Sequence, residues 1–223
     1  MDTNKLWTRP DLKKTTSQSF VEFKDNRFMT KSKDNELFTL KDDGYFYYYQ
    51  QEKGTFRKLE VPQPAFEYIL STTIDANNIL WVFTSNNDNR SYQINKTKEG
   101  LSLTPNHLFK HSEKLRWAFP EGQLVYFIDE TYSLYEYDFN NQQQYFIADL
   151  KTEIEKRGEV SSIIKQQNDY YIGFKNSGLI VLKYMSDQKI KYQMQDTEIH
   201  SGIFCLMKDK YQDIVWIGTD GQG

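Results

Sequence analysis

The chain has 223 residues, of which 16 % are aromatic, with a formal net charge of −3 and a single cysteine. So small a negative charge gives no bulk electrostatic reason for binding nucleic acid or acidic lipid. One cysteine excludes an intramolecular disulfide, and no apolar run approaches the roughly 18 residues of a membrane span.

From the N-terminus, Met1–Thr16 carries Trp7, Pro10 and several lysines and has no signal-peptide pattern at Met1–Asp11. Ser19–Lys24 alternates and is expected to be a strand, the outer strand of a neighbouring or closing sheet. The segment Leu37-Phe38-Thr39-Leu40 then opens a series. Its counterparts are Leu80-Trp81-Val82-Phe83, Val125-Tyr126-Phe127-Ile128, Tyr170-Tyr171-Ile172-Gly173 and Val215-Trp216-Ile217-Gly218. The aromatic at the second place recurs after 43 residues and then every 45: Phe38, Trp81, Tyr126, Tyr171, Trp216. A turn-prone polar group precedes each. A second marker, Tyr47, Tyr92, Tyr137 and Leu182, keeps the period of 45. At this aromatic content, five aromatics in register have odds of about one in ten thousand before allowing for the search.

A period of 40–50 residues with several short strands predicts an all-β chain, a partial β-propeller of about five blades of four antiparallel strands with the last incomplete. The expected blades are 27–60, 66–104, 114–149, 159–195 and 200–223. In the second, strands are expected at 69–75, 79–84, 91–95 and 100–104; in the fourth, at 160–165, 170–174, 178–184 and 189–194. One twisted sheet has two apolar faces and cannot bury both alone, so neighbours must cover each other. The recurring aromatics are expected to be the plugs between them. Cys205, among Ile203, Phe204 and Leu206, is expected to be a buried core thiol. Because Gly223 follows an aromatic strand directly, the chain is expected to be a piece of a longer repeat array, with the exposed edge after Ile217 pairing with the N-terminal strand or a second copy.

Between the repeats, Val61-Pro62-Gln63-Pro64 blocks sheet continuation. Asn86-Asn87-Asp88-Asn89 is expected to be a solvated turn, since it lacks calcium-loop spacing. Pro105–Glu113 holds His107 and His111, whose spacing binds zinc only on a helix, so a linker without metal is expected. Asp149–Glu159 is the one place a short helix fits, stopped by Gly158. Tyr45-Phe46-Tyr47-Tyr48-Tyr49 suits packing between sheets, with a carbohydrate-stacking platform as the other reading.

No glycine-rich phosphate loop, GxSxG or paired zinc knuckle occurs, so neither catalytic residues nor a cofactor nor a metal is expected. Binding would then fall on one rim, where chain enters each first strand and leaves each second. Candidates there are Arg116, Trp117, Arg90, Lys175 and His200, with Ser71, Ser161, Asp43, Glu130 and Asp220 in register. Arg116-Trp117 stands out, because Ser71-Thr72 and Ser161-Ser162 lie at the matching places and an arginine beside an aromatic suits an anionic or neutral sugar.

At Asp213–Gly223 the sequence resembles the regulator-propeller repeat, roughly D-x-x-G-x-[LIV]-W-[IV]-G-T-x-x-G. The match is Asp209 or Asp213, then Val215-Trp216-Ile217-Gly218-Thr219-Asp220-Gly221. Asp75, Asn78, Leu80-Trp81-Val82 and Thr84 are similar, and Ile172-Gly173, Asn176 and Gly178-Leu179 keep part of the pattern. The resemblance implies the periplasmic sensor part of a bacterial hybrid two-component histidine kinase. Such sensors respond to oligosaccharides and belong to a longer membrane-anchored chain; apart from the resemblance, a homodimer is expected as a partner. No binding residue carries over, because the repeat motif is scaffold. A propeller-type polysaccharide lyase or glycosidase and a protein-interaction propeller are the alternatives.

Overall fold

The structure, a computed structural model, describes residues 26–59, 66–98, 100–106, 109–186 and 191–221. The strand expected at Ser19–Lys24, the Val61–Pro64 joint and His107 lie outside these residues. The described chain forms five antiparallel sheets in sequence order, each a meander in which neighbouring strands pair.

Sheet 1 contains β1 (Asn26–Lys31), β2 (Leu37–Lys41), β3 (Phe46–Gln50) and β4 (Thr55–Lys58). Sheet 2 contains β5 (Ile69–Ile74), β6 (Ile79–Thr84), β7 (Arg90–Thr97) and β8 (Gly100–Pro105). Sheet 3 contains β9 (Leu115–Glu121), β10 (Leu124–Asp129), β11 (Ser133–Asp138) and β12 (Gln143–Asp149). Helix α1 (Lys151–Arg157) leads to sheet 4, made of β13 (Val160–Gln166), β14 (Asp169–Phe174), β15 (Leu179–Tyr184) and β16 (Tyr192–Asp196). Among the described residues sheet 5 has two strands, β17 (Ile203–Lys208) and β18 (Val215–Thr219). The first turns need left-handed backbone, supplied by Asn35, Asn78, Gly122 and Gln167.

Alternation along each second strand decides which sheet a side chain meets. Phe38 packs with Leu80, Val82 and Tyr92 of sheet 2. Trp81 packs with Val125, Phe127 and Tyr137 of sheet 3 and stacks on Phe139 at 4.8 Å. Tyr126 meets Tyr170 edge-on at 5.7 Å in the joint between sheets 3 and 4. Tyr171 packs against the cluster of Ile203 and Leu206. The recurring aromatic therefore always points forward, to the next sheet. The residues beside it, such as Val82, Val125, Ile172 and Ile217, point back. Phe38, Trp81 and Tyr126 are fully buried as expected of plugs, Tyr171 is half-buried, and Trp216 is 53 % exposed because no described residue covers the forward face of sheet 5.

Polar groups tie the joints as well. Tyr126 donates to Glu121 at 3.0 Å, and Tyr170 donates to Glu136 at 2.7 Å. Lys165 pairs with the same Glu136 at 2.9 Å. Burial, with the adjacent carboxylates, raises the pKa of both phenols above that of an ordinary tyrosine. Glu121 of sheet 3 also reaches Lys208 of sheet 5 at 2.9 Å, past the inner strand of sheet 4.

Two forward tryptophans share a clasp. Asp75 accepts from the amides of Asn77 and Ile79 and, at 3.0 Å, from the indole N–H of Trp81. Asp209 accepts from the amides of Tyr211 and Gln212 and, again at 3.0 Å, from Trp216. Asp209, rather than Asp213, is thus the repeat aspartate. Replacing Asp75 with Ala would strand a buried indole N–H and should cost about 2 kcal/mol in urea unfolding. Asp209→Ala should leave the midpoint unchanged, because water can serve Trp216. Equal losses in the two variants would refute this account of the clasp.

Candidate functional site

Each first strand begins with a β-bulge opposite the last residue of the second strand. The paired residues are Lys41, Thr84, Asp129, Phe174 and Thr219, and the extra residues are Arg27, Leu70, Arg116, Ser161 and Phe204. A bulge twists the strand and re-aims one side chain. This shifts the register expected from the sequence. Arg116 corresponds to Leu70, Ser161 and Phe204, while Trp117 corresponds to Ser71, Ser162 and Cys205. His200 lies ahead of the bulge and matches neither.

The bulge also separates the Arg116-Trp117 pair. Trp117 is half-buried against the core between sheets 3 and 4. Arg116 is exposed, and its guanidinium lies over the ring of Tyr132 at 4.5 Å. Tyr132 sits in the turn after β10 at φ 69, where the sister turns place Gly44, Asn87, Gly178 and Gly221. A bulky side chain in left-handed backbone is strained, and such strain gathers at functional positions. The sequence signal was available: an aromatic stands where its sisters are Gly or Asn. One sheet earlier, Tyr68 is likewise left-handed at φ 53 and 66 % exposed, just before β5.

Of the other candidates, Arg90 forks onto Asp88, lies over the Phe66 ring at 5.3 Å and is largely buried. Lys175 pairs with Glu159. His200 is exposed. Among the described residues Arg116 is the rim arginine without a carboxylate partner.

Beneath Arg116 the rim is held by Asp129. Its carboxylate accepts from the Thr131 hydroxyl at 2.6 Å and from the amides of Thr131 and Ser133, each at 3.0 Å. His111 meets it at 3.0 Å through Nε2, reaches Gln144 through Nδ1 at 3.2 Å, and lies against Phe127 and Tyr135. The segment expected to be a plain linker therefore carries a buried anchor. Among the described residues no three His, Cys, Asp or Glu side chains cluster to hold a metal. Burial opposes the charge on Asp129, but these hydrogen bonds outweigh it and hold its pKa below the usual carboxylate value.

A second anchor went unread in the sequence. Helix α1 forms where expected, but it turns Ile154 and Arg157 inward. Arg157 donates to Glu153, Asp196 and the Ser177 carbonyl, joining the helix to the β14–β15 turn and the end of β16 at one rim of sheet 4. The Asn86–Asn89 turn closes on itself, with the buried Asn89 accepting from the Thr84 amide at 2.7 Å. Phe46 and Tyr48 of the tyrosine-rich strand are buried between sheets. Cys205 corrects an expectation: it is exposed, because its place on β17 faces forward from sheet 5.

No protein-family model matches the sequence, and no curated protein does. The structure is similar to the extracellular domain of a putative one-component system from B. thetaiotaomicron, with a TM-score of 0.55 and 16 % identity over 88 % of this chain. It is also similar to a chain of the Mitotic Checkpoint Complex, with a TM-score of 0.54 and 12 % identity over 87 % of this chain. The fold is a partial β-propeller. The chain spans 25 % of the length of the first of these proteins and 56 % of the second. Two such different contexts leave the propeller's role to its surface. Among the described residues no helix is long and apolar enough to cross a membrane.

The Asp129 anchor makes an acid-stability prediction. Its folded pKa is depressed, so its contribution is present above the ordinary aspartate pKa, near 4, and is lost as the pH falls through its lower folded value. Asp129→Asn should cost on the order of 2 kcal/mol at neutral pH and flatten the acid side of the stability profile. Parallel wild-type and variant profiles below pH 4 would show that the carboxylate is not linked to folding.

Proposed function

We propose that this chain is the ligand-sensing and scaffold part of an extracytoplasmic sensor, in the periplasm, within a longer membrane-anchored hybrid two-component histidine kinase. Its ligand is an oligosaccharide whose arrival controls glycan-utilisation genes, and it works as a homodimer. The regulator-propeller resemblance at Asp213–Gly223 supports this reading, as does the likeness to an extracellular domain of a putative one-component system. The observation that carries it is the Arg116–Tyr132 pair: a cation without a carboxylate partner among the described residues, stacked on a strained aromatic at an exposed rim.

An aromatic ring offers a face to the C–H side of a sugar, and an arginine fork binds its hydroxyls or a carboxylate. Tyr68 supplies a second ring on the neighbouring sheet. Trp117 backs the site from the joint, while Arg90, Lys175 and His200 line the same rim. The chain acts by binding and has no catalytic role; kinase and output modules lie elsewhere in the parent protein.

Calorimetry against acidic and neutral oligosaccharides tests the proposal. Arg116→Ala should weaken any binding at least tenfold, or about 1.4 kcal/mol. Tyr132→Gly should weaken it similarly while changing stability by less than about 1 kcal/mol, since relief of the strained backbone offsets the lost ring contacts. Silence across the panel, with tight capture of a protein partner, would favour the protein-interaction reading. Sustained release of shortened glycans would favour an enzyme.

A further inference from the structure

Each four-stranded sheet ends in an outer strand whose far edge is unpaired among the described residues. Proteins blunt such edges with charge, proline or short strands, because unpaired N–H and C=O groups attract other chains. β4 has four residues and carries Arg57 and Lys58, β8 ends at Pro105, and β16 has five residues and ends at Asp196. β12 differs. It is seven residues long, and none of Gln143, Gln144, Tyr145, Phe146, Ile147 and Ala148 is charged, proline or glycine. Tyr145 is 39 % exposed and Phe146 56 %, on opposite faces of the strand.

The ground beside this edge is apolar. A bulge opposite Leu134 turns Ile147 into the joint with sheet 4, so the regular edge is 143–146. Next to it a groove of 390 Å³ opens between β12 and β16. Ile147 and Ala148 form one wall, and Leu182, Tyr192 and Met194 form the other. As fourth strands of equivalent meanders, β12 and β16 start at the same rim. Asp149, at the end of one, and Lys191, before the start of the other, therefore mark opposite ends of the groove. The Asp149 carboxylate also accepts from the Lys151 amide at 2.8 Å. Lys191 lies over the Tyr192 ring and has no carboxylate partner among the described residues.

We infer that the outer edge of sheet 3 takes an extended peptide from a partner protein, added as a fifth strand beside β12 with alternate side chains dropping into the groove. The unpaired main chain of 143–146 calls for an occupant with peptide groups of its own. A fifth strand sends every second side chain to one face. Those on the forward face cover Tyr192 and Met194, and those on the back face lie beside Phe146. An antiparallel strand brings its N-terminal end to Asp149 and its C-terminal end to Lys191. The charges therefore select a basic residue first, apolar residues at alternate places and an acidic residue last. This surface lies apart from the Arg116–Tyr132 rim, so the inference does not depend on the ligand proposed there.

The probe is a short labelled peptide with lysine first, then alternating valine and threonine, and glutamate last. Its fluorescence anisotropy should rise saturably on adding the intact chain, and amide exchange along β12 should slow. The same peptide with a central proline cannot complete the ladder and should not bind. Tyr145→Lys restores a blunting charge to the edge and Met194→Lys sets one in the groove; each should weaken binding about tenfold. Both side chains are partly exposed, so the urea midpoint of each variant should stay near that of the wild type. No saturable binding, or equal binding of the proline peptide, would overturn the inference. Binding that survives both substitutions would overturn β12 as its seat. Self-association that Tyr145→Lys abolishes, without peptide binding, would make the occupant a second copy and overturn the peptide partner.

Discussion

The structure depends on one contact made repeatedly: an aromatic on the second strand of a sheet pressed onto the back face of the next. Phe38, Trp81, Tyr126 and Tyr171 each make it. A lone four-stranded sheet has too little buried area to offset the entropy of ordering its chain. Each sheet therefore owes much of its stability to its neighbours, as in other repeat folds. The aspartate clasp refines the contact where the plug is tryptophan, because an indole N–H buried without a partner would forfeit part of what its ring gains.

The joints are not equivalent. That between sheets 2 and 3 is an aromatic cluster around Phe109, Phe127, Tyr137 and Phe139. That between sheets 3 and 4 adds a polar lattice of Glu121, Glu136, Lys165 and two tyrosine hydroxyls. Sheet 3 also carries the Asp129–His111 anchor and the Arg116–Tyr132 pair. Strain at a rim turn persists only where the surroundings over-determine it. The hydrogen bonds around Asp129, three residues before Tyr132, supply that determination.

Much of this was legible from residue order. Periodicity located the strands because alternation and turn chemistry act over a few residues. In sheet 2 the expected strand 79–84 is the observed Ile79–Thr84. In sheet 4 the expected 189–194 is found as Tyr192–Asp196. The helix before sheet 4 was readable from its charge mix and Gly158. The rim is less readable: residue spacing sets Arg116 against Ser71, but one inserted bulge residue moves its true counterpart to Leu70. Tyr132 carries a local signal, since its sisters in the other turns are Gly or Asn.

By itself, then, the order of residues determined an all-β repeat, the aromatic plugs and their spacing, since those follow from local pattern and the need to cover apolar faces. Tertiary structure alone decided which way each plug points, that Trp117 enters a joint while Arg116 lies on Tyr132, that His111 and Arg157 are anchors, and that Cys205 is exposed. These outcomes depend on which face of a sheet finds a neighbour. That is a relation between segments some 45 residues apart, and no local window of sequence contains it.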